Sequence, residues 1–217
     1  MFELENVSIA YEDEPVLRDI SLQICSGEKV VLIGQSGAGK STLLKKLYDT
    51  QQQRAAFIHQ DYALVPQLSV FHNVCIGRLD KHGTGYNLLN LVRPRKNALA
   101  EVAPLLEALG MRDKIHERVS NLSGGQQQRV AVARAIYRGG DAVLGDEPVS
   151  AIDPHQAGAV LELLVQRSGT LVLAMHDVQL ALKHFGRIVG LREGSMIFDL
   201  PSEQVDEGIL RALYQAC

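Results

Sequence analysis

The chain has 217 residues, of which 46% are hydrophobic and 22% charged, so it has the composition of a globular protein able to bury one sizeable core. Its formal net charge of −3 argues against nucleic acid as the main partner, because phosphate backbones are bound by clustered lysine and arginine. Three well-separated cysteines without metal-ligand spacing, Cys25, Cys75 and Cys217, indicate reduced thiols in a cytoplasmic protein.

No targeting or membrane-spanning segment is predicted. The first residues, Met1 to Glu5, lack the basic and apolar regions of a signal peptide, and no apolar run approaches the roughly 18 residues of a membrane span. We therefore expect any membrane component to be another chain.

The first third of the chain predicts a strand, a glycine loop and a helix in succession. The β-branched apolar run KVVLIG at 29–34 is typical of a strand buried on both faces of a sheet, and Leu43, Leu44 and Leu47 have helical spacing. The remaining strands expected here are Phe2 to Ile9, Ile20 to Ile24 and Ala55 to His59.

A mainly helical block is expected from Val70 to about Met111, with a looser polar stretch at 81–96 in its middle. Strands and helices alternate again afterwards: helices at 130–137, 157–165 and 207–214, and strands at 142–144, 170–175, 188–191 and 196–199. This alternation predicts an α/β fold with a parallel-sheet core, and the helical block predicts a separate lobe.

The sequence GQSGAGKST at 34–42 matches the phosphate-binding P-loop. Glycines allow the backbone to curl so that several N–H groups face phosphates, and the following helix presents its positive end. Lys40 adds a point charge, and the Ser41 hydroxyl is a candidate ligand of Mg²⁺. The expected nucleotide contacts are Gly34, Ser36, Gly37, Ala38, Gly39, Lys40, Ser41 and Thr42.

An apolar strand ends in two acids at Asp146 and Glu147. In P-loop hydrolases the first acid supports the magnesium ion and the second polarises the attacking water. We therefore expect Asp146 near the metal and Glu147 as a catalytic residue.

The segment LSGGQQQR at 122–129 contains Ser123-x-x-Gln126, which fits a helix capping box. A capped, glycine-opened helix start is also an anion site, in which Ser123, Gly124 and Gly125 offer a hydroxyl and backbone N–H groups.

The P-loop, the Ser-Gly-Gly-Gln element and the acidic strand end, in this order, resemble the ATP-binding-cassette ATPases of ABC transporters over nearly the whole chain. The resemblance implies one ABC ATPase domain over 1–217, with the core and β lobe at about 1–69 and 130–217 and the helical lobe at about 70–129. It also implies that ATP is held between two such subunits, with Ser123, Gly124, Gly125 and Gln126 facing the partner's γ-phosphate.

Four single residues acquire roles through this resemblance. Tyr11 aligns with the aromatic residue that stacks on adenine, and Gln60 with the glutamine that reaches magnesium and senses the membrane partner. His176 aligns with the histidine that contacts the γ-phosphate, and Asp153 with the loop that touches the opposite subunit.

The stretches LSVFHNVCIGRL at 68–79 and DVQLALKHFGRIVGL at 177–191 look like the ATPase subunits of phosphonate importers. This similarity implies a peripheral protein on the cytoplasmic face of the membrane, paired with a second ATPase subunit, two transmembrane permeases and a solute-binding protein. The segment from Asp61 to Val74 would meet the permease.

The chain departs from the family in one place. Only 19 residues separate Lys40 from Gln60, where the family usually has considerably more, including strands of the antiparallel lobe. We therefore expect a reduced antiparallel β lobe.

Two other functions remain open at this stage. A soluble cassette ATPase associated with carbon–phosphorus bond cleavage shares the same motifs, and co-purification with a soluble complex would favour it. A nucleotide-binding regulatory module without turnover is suggested by the shortened lobe, and ATP binding without hydrolysis would favour that.

Overall fold

Strands and α-helices alternate along most of the chain. The computed structural model describes residues 1–12, 14–92 and 95–215, apart from the side chain of residue 92. Contacts divide the chain into two units: the first contains 1–57, 140–148 and 168–217, and the second contains 58–139 and 149–167.

In the described part of the chain, six strands form a mixed sheet in the order β4-β5-β6-β3-β7-β8, and two form a separate antiparallel sheet, β1-β2. The strands are β1 (Phe2–Tyr11), β2 (Glu14–Ile24), β3 (Lys29–Ile33), β4 (Ala55–Ile58), β5 (Ala142–Asp146), β6 (Thr170–Ala174), β7 (Arg187–Arg192) and β8 (Ser195–Pro201).

Strand β3 lies between β6 and β7 and is parallel to both, with Leu32 opposite Ala174 and Val189. Val30 to Ile33 are fully buried, as expected for an apolar run covered on both faces. β5 is parallel to β6, and β8 closes the edge antiparallel to β7. The predicted parallel core and the final strand pair are both confirmed.

The small antiparallel sheet packs its apolar face against the core of the first unit. Its buried side chains are Phe2, Leu4, Leu17, Ile20, Leu22 and Ile24. β1 pairs with β2 from Phe2 opposite Ile24 to Tyr11 opposite Glu14. The predicted strand at 2–9 is therefore two residues longer, and that at 20–24 begins at Glu14.

A tight turn forms the shortened connection that the 19-residue spacing between Lys40 and Gln60 predicts. Helix α1 (Lys40–Thr50) ends at Thr50 and β4 begins at Ala55. In between, Arg54 N–H donates to Gln51 O at 2.9 Å, and the Arg54 guanidinium pairs with Asp141 at 2.6 Å. The antiparallel sheet has two strands among the described residues. The reduced β lobe is thus a two-stranded sheet with its apolar face packed against the core of the first unit.

The other helices are α2 (Val70–Cys75), α3 (Thr84–Val92), α4 (Lys96–Ala108), α5 (Gly124–Arg138), α6 (Pro154–Arg167), α7 (Val178–His184) and α8 (Glu207–Tyr214). The prediction of a looser stretch at 81–96 was wrong for most of its length, because α3 occupies residues 84–92. Leu88, Leu89 and Leu91 on α3 are exposed, so the leucines of this helix do not follow the pattern expected of a helix face buried in the unit. Helix α7 was not predicted, and α8 has the predicted bounds.

Cys25 and Cys75 are free thiols, and Cys217 lies outside the described residues. Among those residues, none of the helices combines the length and the apolar character that crossing a bilayer requires.

Asn73 on α2 holds the segment that leads from β4 into the helices of the second unit. Its fully buried amide accepts a hydrogen bond from Val65 N–H at 2.8 Å. The amide nitrogen donates to Val65 O at 3.0 Å, Ser69 O at 3.1 Å and Leu68 O at 3.4 Å. One side chain therefore supplies the acceptor of the Val65 N–H and a further donor to three carbonyls that also accept backbone hydrogen bonds.

We expect Asn73→Ala to lower the free energy of unfolding by about 2 to 3 kcal/mol, because the Val65 N–H would lose its acceptor, three carbonyls would lose one of their donors, and a fully buried side chain would be truncated. Urea unfolding measures the change. Asn97→Ala, an exposed asparagine in the first turn of α4, is the control and should change the value by no more than about 0.5 kcal/mol. Equal stability of the two variants would contradict the role of Asn73.

Candidate active site

The P-loop leaves β3 through Gly34, whose conformation (φ +149°) and surroundings admit no side chain. A Cβ at Gly34 would lie 2.1 Å from Leu191 O. Gly39 precedes α1 in the left-handed region (φ +97°), and α1 has no side-chain cap. By helix geometry the amides of Lys40, Ser41 and Thr42 lack acceptors within the helix. The start of α1 is therefore available to an anion.

The Lys40 ammonium is folded back onto the loop that precedes it. It donates to Gly34 O at 2.8 Å and Gln35 O at 2.9 Å. Burial lowers the pKa of Lys40, and the carboxylates of Glu147 and Asp146 oppose this effect. Because neutral carbonyls only partly replace water around a buried charge, the ammonium is well prepared to bind phosphate oxygens.

Asp146 and Glu147 lie at the end of β5. Asp146 is 8% exposed, and Glu147 has a left-handed backbone (φ +52°) with its N–H donating to Ala174 O at 3.0 Å. The Glu147 carboxylate lies 2.7 Å from His176 Nε2. This contact joins the acid at the end of β5 to the histidine after β6.

The parallel pairing brings these groups to one edge of the sheet. Asp146 is opposite Ala174, which is in turn opposite Leu32 on β3. Carboxyl ends of adjacent parallel strands form the usual ligand-binding edge of such sheets. The structure thus brings together the predicted Lys40, Asp146, Glu147 and His176.

The other predicted residues of the first unit have these locations: Ser36 and Gly37 are exposed on the P-loop, Ala38 is buried, Ser41 is exposed and Thr42 is half-buried on α1, and Tyr11 is 52% exposed at the end of β1. The oxygens of Ser41 and Asp146 are of the kind that Mg²⁺ prefers. Within the described residues, clusters of three or more His, Cys, Asp or Glu side chains suited to a metal are absent.

The second unit carries the remaining predicted residues, beginning with the capped start of α5. Ser123 Oγ accepts from Gln126 N–H at 3.3 Å, and Gln126 Oε1 accepts from Ser123 N–H at 3.0 Å. The capping box is confirmed. A Cβ at Gly125 would lie 2.6 Å from Ala151 O, so glycine permits the segment before Asp153 to lie directly against the helix.

Gln128 fixes this segment and was not singled out from the sequence. Its side chain is 1% exposed, accepts from Ala151 N–H at 2.8 Å and donates to Ser150 Oγ at 3.3 Å. Asp153 Oδ1 accepts from His155 N–H at 2.9 Å. The second unit thus joins Ser123, Gly124, Gly125 and Gln126 to the segment that carries Asp153. The signal in the sequence that could have indicated Gln128 is the run of three glutamines at 126–128.

Gln60 is exposed in the turn that follows β4. Gln35 is a second residue that sequence reasoning missed: its side-chain amide donates to Tyr214 O at 2.7 Å, which joins the P-loop to α8. No local pattern indicates this contact, because the two residues lie 179 positions apart.

The profile of the family described as ABC transporter matches residues 17–150. The phosphonates import ATP-binding protein PhnC 1 of Pseudomonas aeruginosa is 39% identical over 241 aligned positions, covering 97% of this chain and 90% of the relative. PhnC of Pseudomonas putida is 39% identical over 240 positions, covering 97% and 88%. Because 97% of 217 residues is about 210, about 30 positions of the first alignment have no counterpart in this chain.

A solved dimeric ATP-binding cassette, described as a post-hydrolysis state bound to ADP and phosphate, has a TM-score of 0.75 and 26% identity, covering 93% of this chain and 99% of that one. It shares the arrangement of strands and helices. Together with the profile match and the identity to the curated relatives, this likeness identifies the chain as an ATP-binding, ATP-hydrolysing member of the ABC transporter family.

Proposed function

We propose that the chain is the ATPase subunit of an ABC importer for a phosphonate or a related organophosphorus compound. The observation that carries this substrate class is the 39% identity, over 97% of the chain, to a protein named for phosphonate import. The same name favours the importer over a soluble ATPase of carbon–phosphorus cleavage. A nucleotide-binding module without turnover is not favoured either, since Lys40, Asp146, Glu147 and His176 share one sheet edge.

In the proposed mechanism, Lys40 leaves the carbonyls of Gly34 and Gln35 and binds the phosphates of ATP with the amides of the P-loop. The nucleotide contacts are Gly34, Ser36, Gly37, Ala38, Gly39, Lys40, Ser41 and Thr42, and the Tyr11 ring stacks on adenine. Mg²⁺, held by Ser41, Gln60 and Asp146, would neutralise charge on the phosphates.

Glu147 then orients the attacking water and accepts its proton, and His176 contacts the γ-phosphate. The 2.7 Å contact between His176 and Glu147 supports this pairing, because it fixes the carboxylate at the end of β5. Water attacks the γ-phosphorus, the bond to the bridging oxygen of ADP breaks, and phosphate leaves.

The second half of each ATP site comes from another copy of the chain. Ser123, Gly124, Gly125 and Gln126 face the partner's γ-phosphate, and Asp153 contacts the opposite subunit. The helix start of α5 supports this assignment, because it offers a capped, glycine-rich anion site. We propose a homodimer, with the helical lobe at about 70–129 in each copy.

The partners we propose are two transmembrane permeases and a solute-binding protein, with the ATPase on the cytoplasmic face of the membrane. An apolar groove of about 350 Å³ in the second unit supports contact with an apolar partner. It is lined by residues of α2 and α3, among them Leu88, which is 61% exposed. Leu89, which is 62% exposed, follows on the same helix. We propose that an amphipathic segment of the permease binds near 61–74 and this groove.

Glu147→Gln should accumulate as an ATP-bound dimer. The amide cannot accept the proton of water, so ATP is not hydrolysed and the two subunits stay together around it. Gel filtration with ATP and magnesium measures this. The control is Glu147→Gln combined with Lys40→Ala, which should elute as a monomer. A monomer in the presence of ATP for Glu147→Gln itself would refute the sandwich mechanism.

Uptake of a labelled phosphonate by phosphate-starved cells tests the substrate class. In a strain without its native copy, Lys40→Ala should reduce uptake at least about tenfold relative to wild type, because a charged hydrogen bond to phosphate is lost. Lys45→Ala, an exposed lysine on the same helix, is the matched control and should transport normally. If uptake does not depend on Lys40, the phosphonate assignment is wrong.

A further inference from the structure

The loop between β4 and α2, residues 59–69, contains two consecutive left-handed residues that are not glycine. Tyr62 has φ +65° and Ala63 has φ +46°. Residues with a Cβ adopt this conformation at an energetic cost, and a pair of them persists only where the surroundings hold it. Tyr62 N–H donates to His59 O at 3.0 Å, which closes the turn that contains Gln60.

The Arg134 guanidinium, from α5, holds both left-handed residues. Nη1 donates to Ala63 O at 2.6 Å and Nη2 donates to Tyr62 O at 2.7 Å. The fixed fork of a guanidinium suits two neighbouring carbonyls, whereas a lysine offers one point of contact. Burial lowers the pKa of Arg134, and the nearby Asp61 carboxylate opposes this effect.

The same loop also reaches the beginning of α5. The Tyr62 hydroxyl lies 3.8 Å from the position that a Cβ would take on Gly124. Gly124 and Arg134 are ten residues apart, about 15 Å along the helix axis. Asn73 separately holds Val65, Leu68 and Ser69 at the far end of the loop. The loop therefore lies against α5 near Gly124 and is hydrogen-bonded to it at Arg134.

We propose that Arg134 is a positioning residue for ATP hydrolysis. Its guanidinium holds Tyr62 and Ala63 in the left-handed conformation and thereby fixes Gln60, two residues earlier, relative to α5. The proposal rests on the proposed function, in which Gln60 and the start of α5 serve the same reaction. It adds that a displacement of the loop is transmitted to α5, because moving either one alone breaks two charged hydrogen bonds.

Arg134→Lys is the first test, because lysine keeps the charge and loses the fork. In the purified chain, hydrogen exchange of amides in 60–65 should accelerate about tenfold, the effect of losing one charged hydrogen bond. The kcat for ATP should fall by about the same factor, and KM should stay within about twofold because Lys40 is unchanged. Arg167→Lys, an exposed arginine on α6, is the control and should match wild type.

Ala63→Gly provides a rescue that acts on the conformation of the turn and leaves the other contacts of residue 134 unchanged. Glycine adopts a positive φ without the steric cost, so the turn depends less on Arg134. In the Arg134→Lys background, Ala63→Gly should bring kcat back to within about threefold of wild type. The melting temperature of every variant is measured alongside.

Three results would overturn the proposal: unchanged exchange in 60–65, accelerated exchange with unchanged kcat, or a loss of kcat that follows the melting temperature and is not recovered by Ala63→Gly. Failure of the proposed function appears differently, as phosphonate uptake that does not depend on Lys40. The exchange comparison would then still decide whether Arg134 holds the loop.

Discussion

The parallel pairing of β3 with β6 and β7 is the constraint on which the first unit depends. It places β3 between two neighbours, so its chain leaves the sheet at a fixed point, and Gly34 turns there against Leu191 O. The pairing of β6 with β5 then fixes the ends of those two strands, and hence Asp146, Glu147 and His176. Phosphate-binding loop, acids and histidine meet because their strands share one direction.

The charge balance at this edge follows from that geometry. A buried ammonium needs partners, and Lys40 has two carbonyls with two carboxylates nearby. Carbonyls are weaker partners for a cation than anionic oxygens are. The ammonium is therefore held in place without being fully satisfied, which suits the exchange of partners, from carbonyls to nucleotide phosphates, in the proposed mechanism.

Much of the first unit could be predicted from local sequence. The run KVVLIG and the leucines after Lys40 give β3 and α1, because buried strands and amphipathic helices have different apolar periods. Helix α3 was missed because its apolar residues do not form the stripe of a buried helix face. Leu88 and Leu89 are both exposed. The contacts of Gln35, Gln128 and Arg134 could not be read from the chain, since each joins residues at least 22 positions apart.

The turn at 51–54 has a consequence for the energetics of this small cassette. Helix α1 reaches β4 through only these four residues. A short connection restricts the unfolded chain more than a long one does, although the difference grows only as about 0.6 kcal/mol for each doubling of length. The entropy gained is modest, and residues 52–54 are exposed, so the turn adds little buried apolar area. The strands β1 and β2 must therefore supply, through side chains such as Phe2 and Ile20, nearly all the hydrophobic stabilisation of their lobe.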